Sequence, residues 1–296
     1  MMSSDFSTTT HAKWILAGEH AVLRDHPALV FPLHSKTLTL HYSKSDEGLR
    51  TEFSGLYGEE IHLLFCGVLE QALEVINRSI SEVQGKFIVE NHIPLGAGMG
   101  VSAALSVAIV RWFIWQGWLQ DDQLQTFAQH LENIFHSESS GVDIAGVLAE
   151  QGLLFYRNGP QKLLQPKWKP LLYLCHSNQI GLTSHCVKKV KELWQRDASL
   201  AKLIDDEMES SVLSAANALQ SDRDIGLPEL AAAINKARVC FTQWGLAGGK
   251  VEQMINHLLS AGALAAKPTG SGDGGYILSL WSHEPNKDLP FEMIQV

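Results

Sequence analysis

The chain has 296 residues, of which 45% are hydrophobic and 19% are charged, a composition typical of one large or two ordinary globular domains. Its net charge of −9 at pH 7 argues against nucleic acid as a main partner, because binding to a phosphate backbone needs a basic face. No apolar run reaches the roughly 18 residues of a membrane span, and we expect no secretory signal. The four cysteines are widely spaced, which predicts neither a zinc site nor a disulfide framework. We therefore expect a reducing, cytoplasmic location.

The chain combines predicted strands and helices, and it becomes mostly helical after about residue 176. Residues 1–12 are polar and are expected to be loosely ordered, and the triplet Gly18-Glu19-His20 is by itself most consistent with a solvated turn. Short apolar runs predict strands at residues 13–17, 28–31, 38–42, 87–93, 152–156, 171–175 and 276–281. Apolar residues at helical spacing predict helices at residues 60–77, 103–118, 121–135, 187–194, 199–219, 227–241 and 251–261. The pattern is mixed α/β, and we expect two domains, residues 1–165 and 166–296.

A glycine-rich turn, PLGAGMGVSAALS at residues 94–106, connects a predicted strand with the apolar helix that follows. Gly96, Gly98 and Gly100 have no Cβ, so backbone N–H groups can approach a ligand closely. Ser102 stands where an N-cap or a first-turn hydroxyl would stand, and the helix directs unpaired N–H groups and its dipole at the turn. These features predict a phosphate site, with an ordinary glycine-rich connection as the alternative. The spacing excludes a Walker A loop and a dinucleotide fingerprint.

A second glycine-rich loop, AAKPTGSGDGG at residues 265–275, precedes the last predicted strand. One such loop could be a hairpin, but two loops that each carry a hydroxyl residue are consistent with two walls of a phosphate site.

Two acidic residues lie close to apolar stretches. Asp143 interrupts an apolar run, and taken alone it is most simply explained as an N-cap. Glu132 lies one position beside the apolar stripe of its helix, and taken alone it is most simply explained as a solvated side chain.

Four separated segments follow one another in a recognisable order: KWILAGEHAV at residues 13–22, PLGAGMGVSA at 94–103, HSESSGVD at 136–143 and KPTGSGDGG at 267–275. In these segments the chain resembles the GHMP kinases, named for galactokinase, homoserine kinase, mevalonate kinase and phosphomevalonate kinase, and among them the mevalonate kinases most closely. The resemblance spans nearly the whole chain. It implies the GHMP kinase fold, with an N-terminal domain like ribosomal protein S5 domain 2 and a C-terminal ferredoxin-like domain. It also implies ATP-dependent phosphorylation of mevalonate at an alcohol group.

The resemblance implies catalytic and metal-binding roles at the matched positions. Asp143 would be the catalytic carboxylate that meets the hydroxyl of mevalonate, and Lys13 would be its cationic partner. A weakly basic Asp suits this reaction, because the loose transition state of phosphoryl transfer needs positioning and charge neutralisation more than a strong base. Glu132 and Ser102 would bind Mg²⁺, which prefers oxygen ligands and keeps several waters.

The resemblance also implies binding residues for both substrates. Glu19 and His20 would shape the mevalonate pocket, and Ser184 would match a hydroxyl near this substrate. The residues that would bind ATP are Pro94, Gly96, Ala97, Gly98, Met99, Gly100, Val101, Ser102, Ala103, Gly270 and Gly272. The family further implies a homodimer, whereas the net charge and the lack of a long apolar run predict no nucleic-acid or membrane partner.

Several positions depart from the family pattern. Val101 replaces a usual Ser, Ile144 follows the catalytic Asp where Asn is common, and Asp273 replaces a Gly of the second glycine-rich loop. The Asp273 charge should weaken ATP binding unless it points away from the phosphates or meets a cation.

Two alternatives to a mevalonate kinase stay open at this stage. The first is another GHMP small-molecule kinase, such as a phosphomevalonate or sugar kinase. A phosphorylated acceptor would need additional Arg or Lys in its pocket, and His20 favours mevalonate, because phosphomevalonate kinases usually have Tyr there. The second alternative is a catalytically inactive regulatory protein with the same fold, which Asp273 keeps open.

Overall fold

A computed structural model of the chain describes residues 4–136, 139–286 and 288–296. In this described part the strands are β1 Phe6–Ala17, β2 Ala28–Ser43, β3 Leu49–Gly55, β4 Gly85–Asn91, β5 Leu153–Phe155, β6 Lys162–Leu163, β7 Leu171–His176, β8 Ala265–Pro268, β9 Tyr276–Trp281 and β10 Met293–Gln295. The α-helices are α1 Gly58–Val75, α2 Val101–Trp115, α3 Leu124–His136, α4 Val142–Leu148, α5 Thr183–Arg196, α6 Ala198–Gln220, α7 Arg223–Gln243 and α8 Lys250–Ser260. The predicted mixed α/β class is confirmed.

The chain folds into two compact units, and neither is a continuous half of the sequence. The first unit contains the residues up to Lys13 together with Pro32–Leu95 and Met99–Glu150. The second unit contains Trp14–Phe31, Gly96–Gly98 and Gln151–Val296. The division into family domains at residue 165 stays a prediction.

In the first unit, β4 lies between two strands. It pairs in parallel with β3, where Leu49 lies opposite Gly85, and antiparallel with the end of β2, where Ser43 lies opposite Lys86. Helix α2 is buried along most of its length, because its sequence is apolar on all sides, and it packs against α1, α3 and α4. Trp112 of α2 packs 4.8 Å from Phe87 of β4, measured between ring centroids. The helices and strands of this unit therefore share one apolar core.

The second unit contains a four-stranded antiparallel sheet in the order β10–β7–β9–β8. Strand β9 is buried at every residue, β8 packs against α7, and the long helices α6 and α7 pack along each other. The first residues of β2, Ala28–Val30, also belong to this unit and pair antiparallel with β5. The glycine-rich loop at 269–275 connects β8 to β9, so paired strands hold both of its ends.

Two expectations about the strands are wrong. Residues 6–12 are not loosely ordered, since β1 begins at Phe6. Its Thr residues suit a strand, and the Thr10 hydroxyl donates a hydrogen bond to the Leu38 carbonyl of β2 at 3.3 Å. The strands predicted at 28–31 and 38–42 are one strand, because the more polar residues between them continue β2 rather than forming a loop.

Among the helices that the structure describes, none combines the length and the apolar character needed to cross a membrane.

Candidate functional site

A buried lysine and a partly exposed aspartate form an ion pair in the first unit. Lys13 of β1 places its Nζ 2.6 Å from Asp143 Oδ1, with 2% of the Lys13 side chain and 29% of the Asp143 side chain exposed. Gly141, with φ of 81°, is the N-cap of α4, so Asp143 lies in the first turn rather than at the cap. The simpler explanation of Asp143 as an N-cap is therefore wrong, and its carboxylate meets Lys13 instead.

Glu132 of α3 is buried in the same unit, so its explanation as a solvated side chain is also wrong. Its Oε2 accepts a hydrogen bond from the Ser139 hydroxyl at 2.7 Å, and the Ser139 oxygen in turn accepts one from the Gly141 N–H at 3.0 Å. Burial raises the pKa of Glu132 to about 8, and the negative charge of Asp143 adds to this rise. The burial of Glu132 therefore disfavours its ionised form, which a cation bound beside it would stabilise.

The end of the first glycine-rich turn lies against Lys13. The Lys13 N–H donates to the Met99 carbonyl at 3.0 Å. Gly100 is the N-cap of α2 with φ of 76°, and a Cβ there would lie 3.0 Å from Lys13 Cγ, so a side chain at this position would crowd the lysine. Ser102 occupies the first turn of α2 and is not its N-cap. The first unit thus brings together Lys13, Asp143 and the start of α2.

In the second unit the two glycine-rich loops touch. A Cβ at Gly98 would lie 3.2 Å from Gly270 Cα, and a Cβ at Gly275 would lie 3.0 Å from the Ala97 carbonyl oxygen. Gly98 and Gly270 have φ of 73° and 89°, in the left-handed region that favours glycine. Close approach and backbone conformation therefore both require glycine at Gly98 and Gly270.

A second ion pair, between Glu19 and Lys267 of β8, is fully buried in the second unit. Lys267 Nζ lies 2.5 Å from Glu19 Oε1. Next to it, the Thr269 hydroxyl donates to the Ile15 carbonyl at 2.8 Å and accepts from the Ile15 N–H at 3.1 Å. The solvated-turn interpretation of Glu19 is therefore wrong. Sequence reasoning did not single out Lys267 or Thr269, although both lie in the segment of the second glycine-rich loop that carries the resemblance.

His20 is also buried in the second unit. Its Nε2 lies 2.8 Å from the Ser271 carbonyl oxygen. Because a carbonyl oxygen can only accept a hydrogen bond, Nε2 carries the N–H that donates to it. Its ring lies 5.3 Å from the Trp244 ring, measured between centroids. Burial lowers the pKa of His20 to about 4, so the folded protein holds it neutral at pH 7. Ser184, the third predicted substrate residue, is exposed in the first turn of α5.

The neutral state of His20 predicts a loss of stability in acid. An unfolded His has a pKa near 6.5, so the unfolded chain takes up this proton first as the pH falls. The free energy of unfolding should fall between pH 6.5 and 4, by at most about 3 kcal/mol from this group, and should lose nothing more from it at lower pH. Urea unfolding at several pH values measures this loss.

Two variants test the assignment to His20. His20→Gln keeps a neutral donor and should show a shallower acid loss, whereas the same change at His257, which is exposed on α8, should leave the pH dependence as it is. An unchanged acid slope in His20→Gln would contradict the prediction.

Comparisons with known proteins agree with this geometry. Residues 67–151 match the family described as GHMP kinases N terminal domain. The mevalonate kinase of Thermococcus sibiricus is 26% identical over 293 residues, covering 91% of this chain and 87% of that protein. The mevalonate kinase of Pyrococcus furiosus is 27% identical over 299 residues, covering 93% and 88%. The crystal structure of L. major mevalonate kinase in complex with R-mevalonate superposes with a TM-score of 0.78 at 21% identity, covering 96% of this chain and 91% of that one. The predicted GHMP kinase fold is thereby confirmed.

Proposed function

We propose that this chain is a GHMP kinase, which uses ATP to phosphorylate the alcohol group of mevalonate and gives 5-phosphomevalonate. The ion pair between buried Lys13 and partly exposed Asp143 carries the proposal, since it presents a carboxylate to an acceptor and a cation to a phosphate. The curated relatives that match more than 90% of the chain support mevalonate as the acceptor, because they are mevalonate kinases.

Each member of this pair has a defined task in the transfer. The Asp143 carboxylate accepts a hydrogen bond from the acceptor hydroxyl and orients its oxygen toward the γ-phosphorus. As the new O–P bond forms and the bond to the ADP oxygen breaks, the hydroxyl proton passes to Asp143. Lys13 neutralises negative charge on the transferred group. Its hydrogen bond from the backbone to Met99 holds it in place beside the first glycine-rich turn.

The side chains present fit a magnesium ion bound together with ATP. Glu132 and Ser102 offer oxygen atoms, which Mg²⁺ prefers, and the raised pKa of Glu132 shows a buried carboxyl group that a cation would favour in its ionised form. Among the residues described, no group of three or more His, Cys, Asp and Glu could hold a metal by itself. Phosphate oxygens and water would therefore complete the coordination. Such an ion would supply charge neutralisation at the phosphates.

The structure weakens the argument for an inactive regulatory protein. That alternative rested on the Asp273 charge in the second glycine-rich loop, and the Asp273 carboxylate lies 2.8 Å from Lys189 Nζ. Phosphorylation of another acceptor by a GHMP kinase remains the second candidate, and His20, which replaces the usual Tyr of phosphomevalonate kinases, favours mevalonate. The homodimer implied by the family and the cytoplasmic location expected from the cysteine pattern stay predictions.

An acceptor panel tests the proposed function. The purified protein, ATP and Mg²⁺ are combined with mevalonate, phosphomevalonate, homoserine or galactose, and ADP release is followed by a coupled assay. We expect ADP release that depends on mevalonate and exceeds release with the other acceptors. Faster release with another acceptor would overturn the substrate and keep the kinase, whereas no acceptor-dependent release would overturn the proposed reaction.

A further inference from the structure

Asp273 is the single charged residue of the loop at 269–275, and its backbone is firmly held. Its φ of 56° lies in the left-handed region, which Asp tolerates and Gly favours. Its N–H donates to the Leu246 carbonyl at 2.7 Å, and its carbonyl accepts from Gln179 Nε2 at 2.7 Å. These two hydrogen bonds fix the backbone position of Asp273, so its carboxylate cannot move far from the loop. A cation close to this carboxylate would offset its negative charge.

Helix α5 supplies that partner. Lys189 Nζ lies 2.8 Å from Asp273 Oδ2 and donates to the Gly245 carbonyl at 3.4 Å. His185, one turn earlier on the helix, has its Nδ1 4.0 Å from the same oxygen. The side chains of Lys189 and Asp273 are 33% and 24% exposed, so water screens this pair less than it screens a fully exposed pair.

The same helix also contacts the two residues before Asp273. The Thr183 hydroxyl donates to the Ser271 hydroxyl at 3.5 Å, and the Cys186 thiol donates to the Gly272 carbonyl at 3.3 Å. The beginning of α5 therefore contacts three successive residues of the loop. This is the loop that touches the first glycine-rich turn, where Gly98 meets Gly270.

We propose that Lys189 is a positioning residue for ATP in this chain, and that Asp273 creates the need for it. The inference rests on the proposed function, because the glycine-rich loops are taken to hold the phosphates of ATP. Without a cation beside it, the Asp273 carboxylate would repel these phosphates. The loss would appear in nucleotide affinity rather than in the transfer step or in acceptor binding, which involve other residues.

A double-mutant cycle tests the proposal. It compares the unaltered chain with Lys189→Met, Asp273→Gly and the combined variant. KM for ATP, KM for mevalonate and kcat are measured, together with the Kd for MgADP by calorimetry. Lys188→Met is the matched control, because Lys188 is the preceding residue of the same helix and pairs with Glu192 at 3.8 Å.

We expect Lys189→Met to raise KM for ATP and the Kd for MgADP about fivefold, with kcat and KM for mevalonate changed less than about twofold. In the Asp273→Gly background the same substitution should change KM for ATP less than about twofold, because no charge is left to neutralise. Lys188→Met should match the unaltered chain within about twofold.

Three results would overturn the proposal. They are no effect of Lys189→Met on nucleotide affinity, an equal effect with and without Asp273, and a loss of affinity that follows a loss of thermal stability in both backgrounds. A failure of the proposed function is distinguishable, since it would appear as no ADP release from the unaltered chain with any acceptor. The MgADP affinities would still decide the role of Lys189 in that case.

Discussion

Asp143→Asn should lower kcat for phosphoryl transfer at least about 100-fold, the range for loss of a positioned general base. The Kd for MgADP should change much less, because the proposed mechanism assigns Asp143 to the acceptor rather than to the nucleotide. The amide oxygen of Asn can still accept a hydrogen bond from Lys13, so the local geometry is retained. It cannot take up the acceptor proton, and it carries no charge. The measurement is single-turnover transfer with mevalonate, together with calorimetric MgADP binding.

A control variant and a titration of Glu132 test whether the loss of activity is specific to Asp143. Asp122→Asn changes an exposed aspartate of the same unit and should keep full activity. Removing the Asp143 charge also removes one cause of the raised pKa of Glu132, so titration of Glu132 should move to lower pH in Asp143→Asn. Retained activity in this variant would contradict the assigned mechanism.

Lys267→Met should destabilise the protein by about 3–5 kcal/mol, as expected when one member of a buried ion pair is removed. Lys267 and Glu19 are both fully buried, so the variant leaves the Glu19 charge inside the protein without its cationic partner. The combined change Glu19→Gln with Lys267→Met should recover much of the loss, because it buries no charge. Urea unfolding at pH 7 measures the unaltered chain and both variants.

A matched lysine in the same unit provides the comparison for this prediction. Lys236 of α7 pairs with Glu207 at 3.3 Å, and both side chains are exposed. Lys236→Met should therefore cost no more than about 1 kcal/mol. If Lys267→Met cost as little as Lys236→Met, the buried pair would not stabilise the folded protein in the way the structure indicates.

The sequence predicted the helices that have a clear apolar periodicity and the residues that lie in recognisable short segments. The apolar periodicity placed the long helices to within a few residues, and the order of four short segments pointed to Lys13 and Asp143. These two are 2.6 Å apart, so the residues selected by their segments do meet in the fold.

The sequence could not predict the environments of Glu19, His20 and Asp273. These environments depend on contacts with residues that are far away along the chain. Glu19 follows a strand, where charged residues are usually solvated, and its partner Lys267 is 248 positions away. His20 is neutral because it is buried, with the Trp244 ring packed against it, and the hydrogen bond to the Ser271 carbonyl opposes this fall in its pKa only in part. The partner of Asp273 was equally hidden, because Lys189 is only 33% exposed in the fold, whereas the helix sequence shows no feature that points to the loop.

The contact between Lys189 and Asp273 also constrains how such a pair can arise in a lineage. On the proposed role of Lys189, a lysine that appears first at position 189 would allow a later change of glycine to aspartate at 273 with little loss of nucleotide affinity. If the aspartate appeared first, the intermediate would carry an unneutralised charge in the second glycine-rich loop. The lysine would then be a permissive substitution for the aspartate, and the two changes would be favoured in one order only.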